Sequence, residues 1–479
     1  MYKVIKDLYK DNRARIRIGE YESQELNIKL GVMQGSILGP ILFNIFINDL
    51  LEKLHLTRLG VGMPKTIITA LGYADDIVLL ADNPSKLQEQ IDICEKWSSE
   101  NGMRFNTEKC KVMALNVRQK GLAFHISGET IEVVQKTKYL GIIFSRSRQT
   151  TLYGKHITKV LERAEARVNL IRHTGFLKDG LRPEISIRMY KTMVRPILEY
   201  GAQVLSYKHY YFVDRKIDKI EEPSEIIRKL EKFQNKVLKK LIPCPKNTPP
   251  EVIRLLTGTM PIEGRIDMLK LRYFWRLHHA GGKNMAHQIY LELRENFLKG
   301  KEGFIHEVFN LCCKYRRIDL WHGKCPEKIN PLARIRKIVE KFHIEKDEKA
   351  ARKSDCMYSE MLNVKGKKYM FEERLKEVGR FHSTEHRGVF LHAILDTAKY
   401  ERNCKNCDRK VNDLTEHGLE ECTGVKHNRR VYTLSMKLYD ASEGQKLLRK
   451  REAIQLALTK KCYMKAFCEF LLVIWKWDM

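Results

Sequence analysis

Acidic side chains are in short supply: 59 Asp and Glu stand against 88 Lys and Arg in 479 residues, a formal net charge of +29. An excess of that size favours polyanionic partners. Long apolar runs are lacking too. The most apolar stretches are 37–51, broken by Asn44, Asn48 and Asp49, and 470–475. Neither supplies the ~20 apolar residues of a membrane span, so no membrane is expected. The opening MYKVIKDLYK carries charge where a secretory signal has an apolar core. With no targeting signal recognised, nucleus and cytoplasm are the expected compartments. Twelve cysteines are too sparse for a disulfide scaffold, so the thiols are expected to be reduced, with a few free to bind metal. Repeats and low-complexity tracts are also missing. An apolar content of 43% with 9% aromatics excludes a solvated, disordered chain.

The positive charge is unevenly placed. Residues 1–150 hold 21 basic and 17 acidic side chains, whereas 151–300 hold 29 and 16. Tyr207, Tyr210, Tyr211 and Phe212 are interleaved with that middle block. A basic surface with aromatics suits nucleic acid, although a solvated helix face has the same composition.

Apolar alternation at Ile16, Ile18, Leu26, Ile28 and Leu30 predicts a hairpin around 19–23, after a first helix. Residues 37–51 read as an apolar helix, with Pro40 tolerated in its first turn. Residues 67–82 are the most strand-like stretch. A helix over 84–101, carrying Leu87, Ile91, Cys94 and Trp97 on one face, ends at Gly102. Short strands are expected at 111–117 and 139–144. From 153 onward the periodicity is helical to the C-terminus, interrupted by Pro243, Pro245, Pro249 and Pro250.

Within 67–82 lie two adjacent carboxylates, Asp75 and Asp76, flanked by apolar residues on both sides. Like charges side by side repel, and a divalent cation with oxygen ligands, such as Mg²⁺, relieves them. A solvent-exposed turn is the alternative, since aspartate favours turns. Their surroundings distinguish the two. LGYADDIVLLAD, preceded by GVMQGSILGPILFNIFINDL, resembles the palm of a reverse transcriptase, most closely those of non-LTR (LINE-type) retrotransposons of the jockey/I kind. NGMRFNTEKCKVM (101–113) resembles the segment after the catalytic hairpin, and KYLGIIF (138–144) the primer-grip hairpin. VRPILEYGAQV (194–204) and CPKNTPP (244–250) resemble stretches of the thumb and the region beyond it.

The resemblance implies an α+β chain: a partial polymerase palm over 1–148, then a basic helical thumb and connector over 149–300. A helical region over 301–400 and a small zinc-knuckle-like region over 401–479 would complete it. It implies an RNA-directed DNA polymerase that extends a DNA primer on an RNA template from dNTPs with two Mg²⁺ ions. Asp75 and Asp76 would be the catalytic, metal-binding pair, with Tyr73 and Ala74 beside the primer end. Gln34 and Gly35 would line the nucleotide and template pocket, and Lys109 would approach the triphosphate. Alternatively, Gln34 caps the next helix and Lys109 is a surface lysine. Tyr139, Leu140 and Gly141 would hold the primer. Met33 stands where the family usually has proline.

Family polymerases complete the metal site with a third carboxylate from an earlier strand. Asp7 and Asp11 do not end an apolar strand, and Asp49 follows the apolar helix. The expectation is therefore a copy truncated at its N-terminus, without the first catalytic Asp, the fingers and an N-terminal endonuclease. The alternative function is a non-catalytic RNA- or DNA-binding remnant. A group II intron-type maturase fits the helical region after residue 150 less well.

Cys404, Cys407, His417 and Cys422 follow the pattern C-x2-C-x9-H-x4-C, which has the count and softness of a closed tetrahedral zinc site. It resembles the CCHC element after the polymerase of many non-LTR retrotransposons. A redox pair at Cys404 and Cys407, or unrelated thiols, would be the alternatives, and His427 could replace a ligand. Cys312, Cys313 and Cys325 lack such spacing and read as core or surface thiols. If zinc is bound, metal analysis of the dialysed, reduced protein finds one zinc per chain, and Cys407→Ser releases it. A zinc-free intact protein would exclude the site.

Overall fold

A computed structural model of the chain describes residues 2–28, 31–62, 66–115, 121–145, 154–173, 183–206, 225–241, 244, 247–282, 284–301, 303–326, 329–353, 402–403 and 410–411. The chain divides into two compact units, residues 1–137 and 138–479.

The first unit opens with α1 (Tyr2–Leu8), followed by β1 (Arg13–Ala14), β2 (Arg17–Ile18), β3 (Tyr21–Glu22) and β4 (Leu26–Asn27). β2 pairs with β3 and β1 with β4, both antiparallel, so the expected hairpin forms, turning at Gly19 and Glu20. Its alternating residues do not enter a core. Ile16, Ile18, Leu26 and Ile28 are exposed, because no described element covers either face of the hairpin.

α2 (Gly39–Thr57) has Pro40 in its first turn and ends at Arg58, whose left-handed backbone returns its N–H to His55 O. It extends past the expected end at 51, because Leu54 continues the buried stripe of Ile47 and Leu50. Asp49 therefore lies inside the helix, where its Oδ2 accepts a 2.8 Å hydrogen bond from Trp97 Nε1. β5 (Val61–Gly62) and β6 (Ile67–Ile68) pair, and β7 (Ala70–Tyr73) pairs with β8 (Asp76–Leu79). α3 (Pro84–Glu100) starts at Asn83, whose side chain accepts from Lys86 N–H, and buries Ile91, Cys94 and Trp97 as its spacing predicts. Leu50, Leu54, Cys94 and Trp97 form a core on which Ala70, Ile77 and Leu79 of the β7–β8 hairpin pack. β9 (Lys111–Val112), β10 (His125–Ile126), β11 (Glu129–Thr130) and β12 (Glu132–Val133) enclose a second core of Ile91, Val112, Phe124, Ile126 and Ile131.

β13 (Lys136–Tyr139) and β14 (Ile142–Ser145) form the hairpin that leads into the second unit. Then come α4 (Gly154–His173), α5 (Pro183–Met189), a π-helical turn at Tyr190–Val194, and α6 (Arg195–Glu199). Pro196 has no N–H to donate back along the helix, and the turn before it widens so that Arg195 N–H reaches Tyr190 O. α7 (Glu225–Leu241) buries Ile227, Leu230, Phe233, Val237, Leu238 and Leu241 at helical spacing. The rest is α8 (Pro250–Thr257), α9 (Ile262–His278), α10 (Met285–Leu298), α11 (Phe304–Lys314), α12 (Ile318–Trp321) and α13 (Pro331–Ala351). Phe274 stacks on Trp321 at 5.6 Å, and Tyr290 meets Phe274 edge-on, at the centre of this helical core. Cys312 belongs to the same core, and burial pushes its thiol up to about 12. The helical reading fails at 402–411, where β15 (Arg402–Asn403) and β16 (Lys410–Val411) pair antiparallel on either side of 404–409. Helices with short, mostly antiparallel strand pairs make the chain α+β. No helix among the described residues is long and apolar enough to cross a membrane.

Several charges enter this helical core in pairs. Arg254 forks onto Asp347 at 2.8 and 2.6 Å, tying α8 to α13. Lys270 pairs with buried Glu307, to which Ser206 also donates. Lys314 and Tyr315 both donate to Asp267, at 2.6 and 2.9 Å. Tyr315 thus has its hydroxyl proton committed, and His343 Nε2, 3.0 Å away, must be the donor to Tyr315 oxygen in a neutral imidazole. Burial, reinforced by Lys314 and against the pull of Asp267 and Glu263, lowers His343 to about 4. The unfolded chain then takes up this proton near pH 6.5 and the folded chain only near 4. Stability is untouched above pH 6.5 and falls between 6.5 and 4, by on the order of 3 kcal/mol. Thermal melts of the chain across that range should show the fall, and His343→Gln should flatten it.

Candidate active site

The Asp75–Asp76 pair sits at the tip of the β7–β8 hairpin. Ala70 faces Leu79, Leu71 faces Val78, Gly72 faces Ile77 and Tyr73 faces Asp76, which leaves Ala74 and Asp75 as a two-residue turn. Alternation puts Ala70, Gly72, Ile77 and Leu79 on one face, against α2 and α3. The approach is close at Gly72, where a Cβ would stand 3.1 Å from Leu51 Cδ1. Leu71, Tyr73, Asp76 and Val78 therefore share the opposite face, and Tyr73 is 65% exposed. Ala74 has φ of +53°, a left-handed conformation that costs a non-glycine residue about 1 kcal/mol or more. Both carboxylates are exposed, and neither has a hydrogen bond or ion pair among the described residues. Their hard oxygens suit Mg²⁺, which commonly binds through one or two carboxylates plus substrate phosphates and water. No group of three or more His, Cys, Asp or Glu that could hold a metal occurs among the described residues.

Gln34 and Gly35 form the centre of a separate turn, closed by Ser36 N–H on Met33 O at 3.1 Å, with Gly35 at φ +86°. Both are exposed. Gln34 does not cap α2: the cap position is Leu38, whose N–H is instead accepted by Ser36 Oγ. Lys109 is exposed at the end of a turn after α3, its N–H held by Asn106. The first unit thus groups Tyr73, Ala74, Asp75 and Asp76 in one tip and carries Gln34, Gly35 and Lys109 on two other turns.

Tyr139, Leu140 and Gly141 belong to the second unit. Leu140 and Gly141 both have positive φ, +45° and +81°, the pattern of a type I′ turn. Tyr200 lies over this turn: its hydroxyl donates to Leu140 O at 2.6 Å, and a Cβ on Gly141 would stand 2.9 Å from its ring. Gly201, also left-handed, meets Ile142 at a similar separation. His156 accepts from Ile143 N–H at 3.4 Å, and its burial holds the imidazole below its ordinary value, hence neutral. Tyr200 and His156 were not among the expected site residues. The clue available in the sequence was Glu199-Tyr200-Gly201, an aromatic beside a glycine within the thumb-like stretch. Cys404, Cys407, His417 and Cys422 lie outside the described residues, as do Tyr207, Tyr210, Tyr211 and Phe212.

Comparison with known proteins bears on the same region. Residues 1–144 match the reverse transcriptase (RNA-dependent DNA polymerase) family. The chain is 28% identical over 211 residues to the RNA-directed DNA polymerase from mobile element jockey of Drosophila melanogaster, covering 43% of this chain and 22% of that protein. It is 29% identical over 205 residues to the Pol polyprotein from type-1 retrotransposable element R2 of Popillia japonica, covering 40% and 32%. It is 24% identical over 294 residues to the probable RNA-directed DNA polymerase from transposon BS of Drosophila melanogaster, covering 58% and 30%. The chain thus spans less than a third of the length of these relatives. Its N-terminal segment, with the acidic hairpin inside it, is a reverse-transcriptase segment of the non-LTR retrotransposon kind.

Proposed function

We propose that the chain is an RNA-directed DNA polymerase that extends a DNA primer on an RNA template. The observation that carries this reading is the exposed Asp75–Asp76 tip, unpaired among the described residues, inside a segment matched by the reverse-transcriptase family. Asp75 and Asp76 would hold magnesium. Bound there, the metal would activate the primer 3′-hydroxyl and neutralise charge on the leaving diphosphate. The hairpin's buried face keeps both carboxylates at a fixed tip, and Tyr73, on the open face with Asp76, would touch the primer end. The exposed Gln34–Gly35 turn offers backbone without a Cβ to an incoming nucleotide and template base. Lys109 would attract the triphosphate. The Tyr139–Gly141 turn, latched by Tyr200, would grip the primer, and the basic helices after it would act as a thumb. Cys404, Cys407, His417 and Cys422 would hold zinc in a nucleic-acid-binding knuckle, in a protein of nucleus and cytoplasm.

One observation favours a second reading, a nucleic-acid-binding remnant without catalysis: the described residues gather no third carboxylate with Asp75 and Asp76. Primer extension on an RNA template with Mg²⁺ separates the two. Extension lost in Asp75→Asn and Asp76→Asn, with RNA binding retained, supports the polymerase. A folded, RNA-binding chain that extends nothing leaves only the remnant.

The primer turn makes its own prediction. Tyr200→Phe removes one hydrogen bond, worth about 1 kcal/mol, and should raise KM for primer–template roughly fivefold with little change in kcat. An unchanged KM would show that the turn does not meet the primer.

A further inference from the structure

A second concentration of charge lies in the helical unit. α9 carries Arg265, Arg272 and Arg276 seven and four residues apart, on one face. α6 and α13 both pack on α9 and bring Arg195 and Arg336 to it. Glu199 takes the full fork of Arg265, at 2.6 and 2.8 Å, and also lies 3.4 Å from Arg195 Nε. Glu340 pairs with Arg336 at 2.6 Å. Among the described residues, five guanidinium groups thus meet two carboxylates. Two of the five are also poorly satisfied: Arg195 Nε and Arg272 Nε are buried without a hydrogen-bond acceptor. Arg272 is the extreme case, since burial and then Arg276, Arg265 and Arg336 all act to lower it, and no carboxylate offsets them. Arg195 is likewise lowered, by burial and then by Arg265.

Guanidinium groups do not shed their protons in proteins, so a cluster with this surplus is relieved by an anion. The planar forks of Arg272 and Arg276 fit an oxyanion with several equivalent oxygens, which each can bind through two parallel hydrogen bonds. One helical turn separates them, about 6 Å along the axis, on the scale of the step between neighbouring phosphates of one strand. Glu199 engages Arg265 and Glu340 engages Arg336, while Arg276 and Arg336 are exposed.

We propose that Arg272 and Arg276, backed by Arg265 and Arg336, form a phosphate-binding site that takes the backbone of a single nucleic-acid strand. The ligand chemistry rests on the guanidinium cluster alone, while the choice of a nucleic-acid backbone over a small phosphate rests on the proposed function.

The test uses the full chain and labelled single-stranded RNA titrated at several salt concentrations. Arg272→Gln/Arg276→Gln should weaken binding about tenfold at low salt. It should also make the dependence of log Kd on log salt shallower by about 1.4, the loss of two single-strand phosphate contacts. Arg276→Gln alone, at an exposed position, should give about half that change in slope and guards against misfolding of the double variant. Lys341→Gln/Lys349→Gln removes the same charge from exposed positions on α13 and should leave affinity within about twofold. Superposable curves for the arginine and lysine variants would overturn the site. Suppose instead that tripolyphosphate raises the melting midpoint of the wild type but not of the arginine variant, while RNA binding is unchanged. The site then takes a free phosphate compound, and the backbone assignment falls. Asp75→Asn should bind RNA as the wild type does. A chain that shows arginine-dependent RNA binding but no primer extension would sink the polymerase reading and leave this site standing.

Discussion

The packing of one face of the β7–β8 hairpin on the α2–α3 core is the constraint on which the acidic tip depends. A two-residue turn gives a hairpin no freedom to slide, and a one-residue slip would exchange its faces. Ala70, Ile77 and Leu79 are drawn into a core with Leu50, Leu54, Cys94 and Trp97, and Gly72 lets the strand approach Leu51. Register follows from that burial, and Tyr73 and Asp76 are left together on the open face. The carboxylates need no partner to fix them. Their backbone is held from the other side, and their charge stays available to a cation.

The helical unit solves a different problem, that of building a core from a strongly basic sequence. Three buried charges are matched closely: Arg254 with Asp347, Lys270 with Glu307, Lys314 with Asp267. Breaking such a pair from one side strands a buried charge, which costs far more than the intact pair contributes. These pairs also link distant parts of the sequence, α8 with α13 and α9 with α11, so they specify which helices meet. Around Arg272 and Arg276 the matching among the described residues is incomplete, and the excess there is of guanidinium groups. A guanidinium surplus that reaches the surface at Arg276 has charge to spend on a ligand there.

Elements whose apolar period coincided with a core were legible in the sequence. The 84–101 helix is an example, since its Asn83 cap, its stripe and its Gly102 stop all point the same way. The acidic tip was legible for the same reason, because apolar residues on both sides of Asp75 and Asp76 leave a hairpin as the economical arrangement. Burial in the N-terminal hairpin was not legible: Ile16, Ile18, Leu26 and Ile28 alternate as half-buried strands do, yet period alone does not reveal whether a covering layer exists. The end of α2 was misread because Glu52 and Lys53 look like a polar stop, while Leu54 restores the stripe one turn later. The contact of Tyr200 with the Leu140–Gly141 turn and the gathering of the arginine cluster were not legible, although Tyr200-Gly201 itself marked an unusual spot. Both join residues tens of positions apart, and a single sequence carries no period that links such positions.

The Leu140–Gly141 turn shows why such long-range contacts matter to function. Leu140 occupies a left-handed position that glycine, asparagine or aspartate would fill at lower cost. A leucine there persists only where the surroundings over-determine the turn. Tyr200 supplies that determination through its hydroxyl on Leu140 O and its ring against Gly141. Gly201 in turn lets Ile142 sit close to the Tyr200 backbone, and buried His156 holds Ile143 N–H only in its neutral form. The turn and the segment just after α6 therefore fit each other reciprocally, each using a left-handed glycine to admit the other's side chain. A turn fixed in this way presents the same backbone whether or not a ligand is bound. The ordering cost is met during folding rather than at each encounter, and pre-organisation of this kind would serve the proposed grip on a primer end.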